Sequence, residues 1–177
     1  MTTTAVIFHS GYGHAQRVAQ FVADGAQAQL IAIDADGNIS EADWATLDAA
    51  DAIVFGSPTY MGMVSWQFKK FADASSKRWF SGAWKDKVAG GFTISGSPSG
   101  DKLSTIQYFI TLAMQHGMVW VGQPAMNDGH INRIGSNSGV MAQVGPTSPA
   151  ADIPQGDLDT AKAYGERVRL LAQRMGA

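Results

Sequence analysis

Five short apolar runs recur along this chain, with amphipathic stretches between them. The runs are Ala5-Val6-Ile7-Phe8, Leu30-Ile31-Ala32-Ile33, Ala52-Ile53-Val54-Phe55, Val88 to Ser95 and Met118-Val119-Trp120-Val121. Runs this short, without polar alternation, suit strands buried on both faces. A helical pattern follows the first run, from about His14 to Ala28, with Val18, Phe21 and Val22 as its apolar stripe. Residues 41–49 form a second helix behind Ser40 as N-cap. A third starts near Ser65, burying Phe68 and Phe71 while Lys69 and Lys70 face water. A fourth, about Lys102 to His116, buries Ile106, Phe109, Ile110 and Ala113, and Gly117 supplies its stop. Asp157 caps a last helix through Leu158, Ala161, Gly165, Val168, Ala172 and Met175. This alternation predicts an α/β fold, with a five-stranded parallel sheet and helices on both faces.

The 177 residues fit a single domain, residues 1–177. The stretch from Gly122 to Gly156 is too long for a plain connection, so a functional or interface loop is expected there. A net charge of −2 gives no surface for nucleic acid, and no apolar run is long enough to span a bilayer. Zero cysteines exclude disulfides, thiolate catalysis and cysteine-held metal. The N-terminal stretch MTTTAVIFHSGYG has no basic region and runs straight into a strand, so a cytoplasmic protein is expected.

In a parallel α/β sheet, ligands bind at the carboxyl ends of the strands. Strand one ends in HSGYGHA, strand three in GSPTYMG and strand four in SGSPSG. Glycine and serine alone make tight turns, but three such loops on one edge exceed what turns require. The first meets a helix start, where exposed N–H groups favour a phosphate and Ser10 adds a hydroxyl. There is no G-x-x-x-x-G-K-[ST] loop, no G-x-S-x-G elbow, and no metal-ligand spacing among His9, His14, His116 and His130, so no metal site is expected. A dinucleotide fingerprint is the competitor. Gly11 and Gly13 have its spacing, and Asp34 stands where a ribose-binding acid belongs. Gln16 replaces its third glycine, however, and Asp34 also reads as the opening of a DADG turn. A flavin mononucleotide site uses all three loops. Loop one takes the phosphate, the other two wrap the ring, and Tyr12, Tyr60 and Trp79 are candidate aromatic walls.

At these residues the sequence resembles the flavodoxin-like NAD(P)H-dependent oxidoreductases, particularly the WrbA-type quinone reductases. The resemblance rests on HSGYGHA, GSPTYMG followed by QFKKFAD, W-x-S-G-A-W-K-D-K, SGSPSGDK and QHGM, in that order over nearly the whole chain. It implies a flavodoxin-like three-layer sandwich with strand order 2-1-3-4-5, bound FMN, and two-electron transfer from NADH or NADPH to quinones. Carried over by position, the FMN-binding residues are Ser10, Gly11, Tyr12, Gly13, His14 and Ala15; Pro58, Thr59, Tyr60, Met61 and Gly62; and Ser95, Gly96, Ser97, Pro98 and Ser99. Trp79, Gln115 and His116 match positions beside flavin and substrate.

Two of those positions have structural alternatives. His116 also suits a helix C-terminus, and Trp79 also suits packing on Trp84. Departures exist too: Tyr60 stands where that group has arginine, and Gln115-His116 where it has two histidines. Asn132 and Arg133 suit either the nicotinamide nucleotide's phosphates or an exposed or interface position. The resemblance further implies a homodimer or homotetramer. Two alternatives of function stay open, a flavodoxin-type electron carrier and an NAD(P)H:FMN reductase that releases its flavin.

Overall fold

The computed structural model describes residues 2–176. Its elements run β1 (Thr4–Phe8), α1 (His14–Ala26), β2 (Gln29–Ala32), α2 (Glu41–Ala49), β3 (Ala52–Tyr60), β4 (Met63–Val64), α3 (Trp66–Ala74), α4 (Ser76–Ser81), β5 (Val88–Ser95), α5 (Lys102–Gln115), β6 (Val119–Trp120), β7 (Val140–Gln143) and α6 (Gln155–Met175). A short 3-10 turn at Ala150–Asp152 precedes the last helix. The main sheet is parallel, in the order β2-β1-β3-β5, with β6 and β7 both on the outer edge of β5. This is the expected 2-1-3-4-5 order with its fifth place divided.

Alternate residues of each central strand serve opposite layers, as the two-residue period of a strand requires. Val6, Phe8, Val54 and Phe92 pack with α1 and α6. Ala5, Ile7, Ile53 and Phe55 pack with Trp44, Phe68, Phe71 and Phe109 from α2, α3 and α5. The two helices on one side, α1 and α6, approach very closely: a side chain on Gly165 of α6 would run into the Val22 carbonyl of α1. Ser40 caps α2 as expected, through a reciprocal capping box with Asp43.

The stretch 122–156 is not loop throughout. The fifth strand leaves the sheet after Trp120 and returns as β7, which pairs Val140–Gln143 with Phe92–Ser95. The excursion between is closed at its base, where Trp120 Nε1 donates to the Ser138 carbonyl at 2.8 Å and Gln123 N to the Asn137 carbonyl at 2.8 Å. The last helix begins at Gln155, so Asp157 lies inside its first turn and does not cap it. Asp157 is buried and paired with Arg133: Nη2 donates to Oδ2 at 2.8 Å, and Nε lies 2.8 Å from Oδ1. Asn132 is buried as well, bonded to Ala125, Thr160 and Ser136. Both residues are spent on fixing the excursion against α6. Asp34 opens a turn, its Oδ1 accepting from Asp36 N at 2.9 Å and Asn38 N at 2.7 Å.

Strand β3 also runs further than its apolar core, through Gly56-Ser57-Pro58-Thr59 to Tyr60, and turns at Met61-Gly62 into β4. β1 stops at Phe8 opposite Gly56, so beyond that point β3 pairs with β5 as far as Pro58 and with β4 at Thr59 and Tyr60, and has no neighbour on the β1 side from Ser57 to Pro58. Pro58, which has no N–H to give, is tolerated because its other side faces the gap that β1 leaves. That gap is where the chain order switches direction.

Candidate functional site

The gap between the ends of β1 and β3 is a cleft of about 220 Å3. Ser10, Gly11, Tyr12, His14 and Ala15 form one wall, and Pro58, Thr59 and Tyr60 another. Ile94, Ser95 and Gly96 form a third wall, and Val144 and Pro146 a fourth. The volume is below the 300–1,000 Å3 usual for a whole ligand, so the cleft encloses one end of a ligand and leaves the rest at its mouth. The three glycine loops meet here. The fourth wall was missed from sequence, although VGPTSP after β7 has the same strand-end composition as the other three loops.

One end of the cleft is built for an anion. The N-cap of α1 is Gly13, at φ 84°, and no side chain caps this helix among the described residues. Side-chain caps occur on α2 and α3, from Ser40 and Ser65, and not on α4, α5 or α6, so what distinguishes α1 is that its open start faces the cleft. The first intrahelical bond of α1 runs from Arg17 N to the Gly13 carbonyl, so the earlier N–H groups are unspent by the helix. Its first turn contains no acid to oppose an anion. Ser10 Oγ is buried beside it without a hydrogen-bond partner among the described residues. A buried hydroxyl is rarely left unpartnered without reason. Ala15 packs into the core while Gln16 faces solvent, so the position of the absent third glycine makes no close approach.

The mouth is aromatic. Tyr12 and Tyr60 meet edge to face, with ring centroids 6.4 Å apart and planes at 73°, and Tyr12 is 78% exposed. Burial raises the Tyr60 phenol above its ordinary pKa, with a further contribution from Tyr12, so the phenol stays neutral. A Cβ on Gly11 would lie 2.6 Å from the Tyr60 hydroxyl, so the Tyr60 ring rests on loop one where residue 11 has no side chain to displace it. Thr59 Oγ1 fixes the second loop from below, 2.8 Å from Thr93 Oγ1 and 2.8 Å from Thr105 Oγ1. Met61 and Gly62 form the hairpin turn beyond it, both at positive φ, and Met61 is fully exposed. Ser97, Pro98 and Ser99 are exposed and do not line the cleft; Pro98 and Ser99 border a separate hollow with Arg133 and Met141. His14 Nε2 bonds to the Ser148 carbonyl at 2.7 Å, joining the start of α1 to the fourth wall. His9 is buried just behind, and burial lowers its pKa.

Trp79, Gln115 and His116 line a second cavity, about 350 Å3, together with Ser75, Tyr108 and Leu112. It shares no lining residue with the cleft. The reason is topological. Helix α5 starts at the carboxyl edge of the sheet and its 14 residues carry the chain roughly 20 Å back, to where β6 begins. Residues that precede a strand lie at the amino edge, away from the loops. His116 stacks on buried Trp84, centroids 4.4 Å apart, and its Nε2 is 2.9 Å from Ser75 Oγ. Ser75 Oγ donates to the Ala72 carbonyl at 2.6 Å, so it accepts from Nε2–H and Nδ1 keeps its lone pair. Burial lowers the His116 pKa and holds the ring neutral. Trp79 is half exposed and does not join the buried stack of Trp44, Phe71 and Trp84.

The sequence matches the family model described as NADPH-dependent FMN reductase over residues 10–132. It is 48% identical, over 184 residues spanning the whole of both chains, to flavodoxin FldP of Pseudomonas aeruginosa (strain UCBPP-PA14). An NAD(P)H dehydrogenase (quinone) of Syntrophobacter fumaroxidans is 31% identical, with 96% of this chain and 97% of the relative covered. Among solved structures, a flavodoxin, WrbA-like protein from Agrobacterium tumefaciens superposes with a TM-score of 0.84 at 53% identity, covering 98% of this chain and 99% of that one. Cleft, sheet order and these matches agree: the chain belongs to the NADPH-dependent FMN reductase family, flavodoxin-like oxidoreductases whose cofactors are FMN and NAD(P)H.

Proposed function

We propose that this protein is an FMN-dependent oxidoreductase that passes two electrons from NADH or NADPH to quinones or similar small acceptors. The observation that carries this reading is the uncapped start of α1 with the unpartnered Ser10 hydroxyl, at the switch point of the sheet. The donor set suits a phosphate monoester held by backbone N–H groups and hydroxyls rather than by lysine or arginine, none of which lines the cleft. Ser10 and the N–H groups of Gly11 to Ala15 hold that phosphate. Pro58, Thr59, Tyr60, Ser95 and Gly96 border the ring, with Met61, Gly62, Ser97, Pro98 and Ser99 at its rim. Bound FMN supplies the hydride acceptance and electron transfer, so this chain needs no acid–base dyad of its own.

The reading extends to assembly. A single chain keeps Trp79, Gln115 and His116 at the edge opposite the cleft, so their role beside the flavin requires a second copy to present them there. Exposed Trp79 and Phe80 on α4 suit such a contact. In that arrangement Trp79 walls the acceptor space, exposed Gln115 presents a hydrogen-bonding group to the acceptor, and buried His116 supports that edge from behind.

One experiment tests the core of this. The protein is reconstituted with FMN, its visible spectrum recorded, and NADH or NADPH added with benzoquinone. Bound flavin that bleaches with nucleotide and recolours with quinone is the expected result. A protein that takes up no FMN sinks the proposal. The 48% relative named a flavodoxin favours a second reading, a one-electron carrier. Flavin that binds but is reduced only by a separate reductase protein would favour that reading. The net charge of −2 is mild for such a carrier.

A further inference from the structure

Lys102 lies at the start of α5 and is fully buried behind the loop that follows β5. Its Nζ donates to Ser95 Oγ at 2.7 Å, to the Ser97 carbonyl at 2.8 Å and to the Pro98 carbonyl at 2.9 Å. Three acceptors match the three protons of an ammonium. From the other side, Gln143 Nε2 donates to the Gly96 carbonyl at 3.0 Å, and Gln143 N is held by Asp157 Oδ2 at 2.9 Å. The carbonyls of Gly96, Ser97 and Pro98 are therefore all drawn toward the protein. In a trans peptide the N–H points opposite the C=O. The N–H groups of Ser97 and Ser99 are thus turned away from Lys102, in the exposed stretch that continues from the Ser95-Gly96 wall of the cleft, and neither has an acceptor among the described residues. Gly100 permits the packing: its φ is 52°, and a side chain there would strike Ser95 Oγ.

We propose that Lys102 is a positioning residue for the flavin: by anchoring the loop's acceptors from inside, its ammonium sets the Ser97 and Ser99 N–H groups as donors to the flavin's electron-rich edge, and flavin affinity follows its protonation. This rests on the FMN reading above and names how that site is regulated. Burial pushes the Lys102 ammonium down to about 8, opposed by Asp157 and reinforced by Arg133. Asp157 on α6 and Arg133 in the excursion are the charged groups facing it, and Asp101 is its neighbour in the chain. As the pH rises through about 8 the neutral amine keeps two protons for three acceptors, one of them is released, and the outward N–H groups lose their alignment.

The test measures FMN dissociation constants by fluorescence quenching from pH 6.5 to 9.5, for the wild type and Lys102→Met. In parallel, the Ser97 and Ser99 amide resonances of the flavin-free protein are followed over the same range. The wild type is expected to weaken several-fold with a midpoint near pH 8, and both resonances to titrate with it. Lys102→Met is expected to bind about tenfold more weakly at pH 7 and to show no midpoint. A folded Lys102→Met protein with wild-type affinity or a retained midpoint overturns the proposal. If that variant does not fold, Lys102→Gln, which keeps two donors, replaces it, and wild-type resonances without a midpoint near 8 overturn the proposal by themselves. Failure of the wild type to bind FMN at any pH defeats the functional reading instead, and the flavin-free resonances then decide the role of Lys102.

Discussion

Ser10 separates a residue kept for a ligand from one kept for the fold. Its hydroxyl is buried beside the open start of α1 and has no hydrogen-bond partner among the described residues. Ser10→Ala therefore removes no internal hydrogen bond, and the flavin-free protein should melt in urea at the wild-type midpoint or slightly above. A hydrogen bond to a charged group contributes about 1.5–3 kcal/mol, so FMN should bind roughly ten- to a hundredfold more weakly. A lower midpoint with unchanged affinity would assign Ser10 to the fold. The sequence made Ser10, Tyr12 and Tyr60 readable because they sit in short loops at predictable strand ends. It hid Lys102, since a lysine in SGDK reads as a solvated helix start and only the packing reveals that it points inward. Val144 and Pro146 were hidden with β7.

At the scale of elements, legibility followed burial. β1, β3 and β5 are covered by helices on both faces, so their apolar runs stood out, and β5 and α2 match their expected limits. β7 was not readable because only Val140 and Ala142 are buried while Met141 and Gln143 are partly exposed, inside a stretch rich in polar residues and glycine. Strand β3 extends past its apolar core because pairing with β5 continues to Pro58, a tertiary effect with no local signal. The α1–α6 contact was equally silent, since a glycine within a helix reads as a weakness. In the fold Gly165 is a requirement: any Cβ would meet the Val22 carbonyl. Gly165→Ala should push the helices apart and destabilise the fold by about 1–3 kcal/mol, despite alanine's better helix propensity. Chemical denaturation measures the sign directly. Stabilisation would mean that the two backbones do not pack this closely in solution.

For the whole molecule, the two edges of the sheet carry separate halves of the proposed chemistry, and pH and assembly probe them differently. His9 near the carboxyl edge and His116 at the amino edge are both held neutral by burial, with pKa values below the ordinary 6.5. The unfolded chain then binds more protons than the folded one below pH 6.5, so stability should fall as pH drops through that value. His116→Asn should flatten the acid side of a plot of urea midpoint against pH. The same separation of edges makes assembly testable by mixing. A chain carrying Ser10→Ala and Gly11→Leu loses the Ser10 hydroxyl and has the Tyr60 ring displaced from the mouth of the cleft, but it keeps the opposite edge. A Trp79→Ala, His116→Asn chain keeps its cleft and loses that edge. Each should be nearly inactive alone. If every site joins the cleft of one copy to the opposite edge of another, equal mixing and random reassembly in a symmetric oligomer leaves roughly a quarter of the sites intact. Quinone reductase activity should then appear on mixing two inactive proteins and grow as subunits exchange. No recovery, in a mixture shown by mass spectrometry to contain hybrid oligomers, would mean that each chain works with its own cleft alone. His116 would then belong to the packing on Trp84, and Trp79 and Gln115 to the exposed surface beside it, rather than to the reaction.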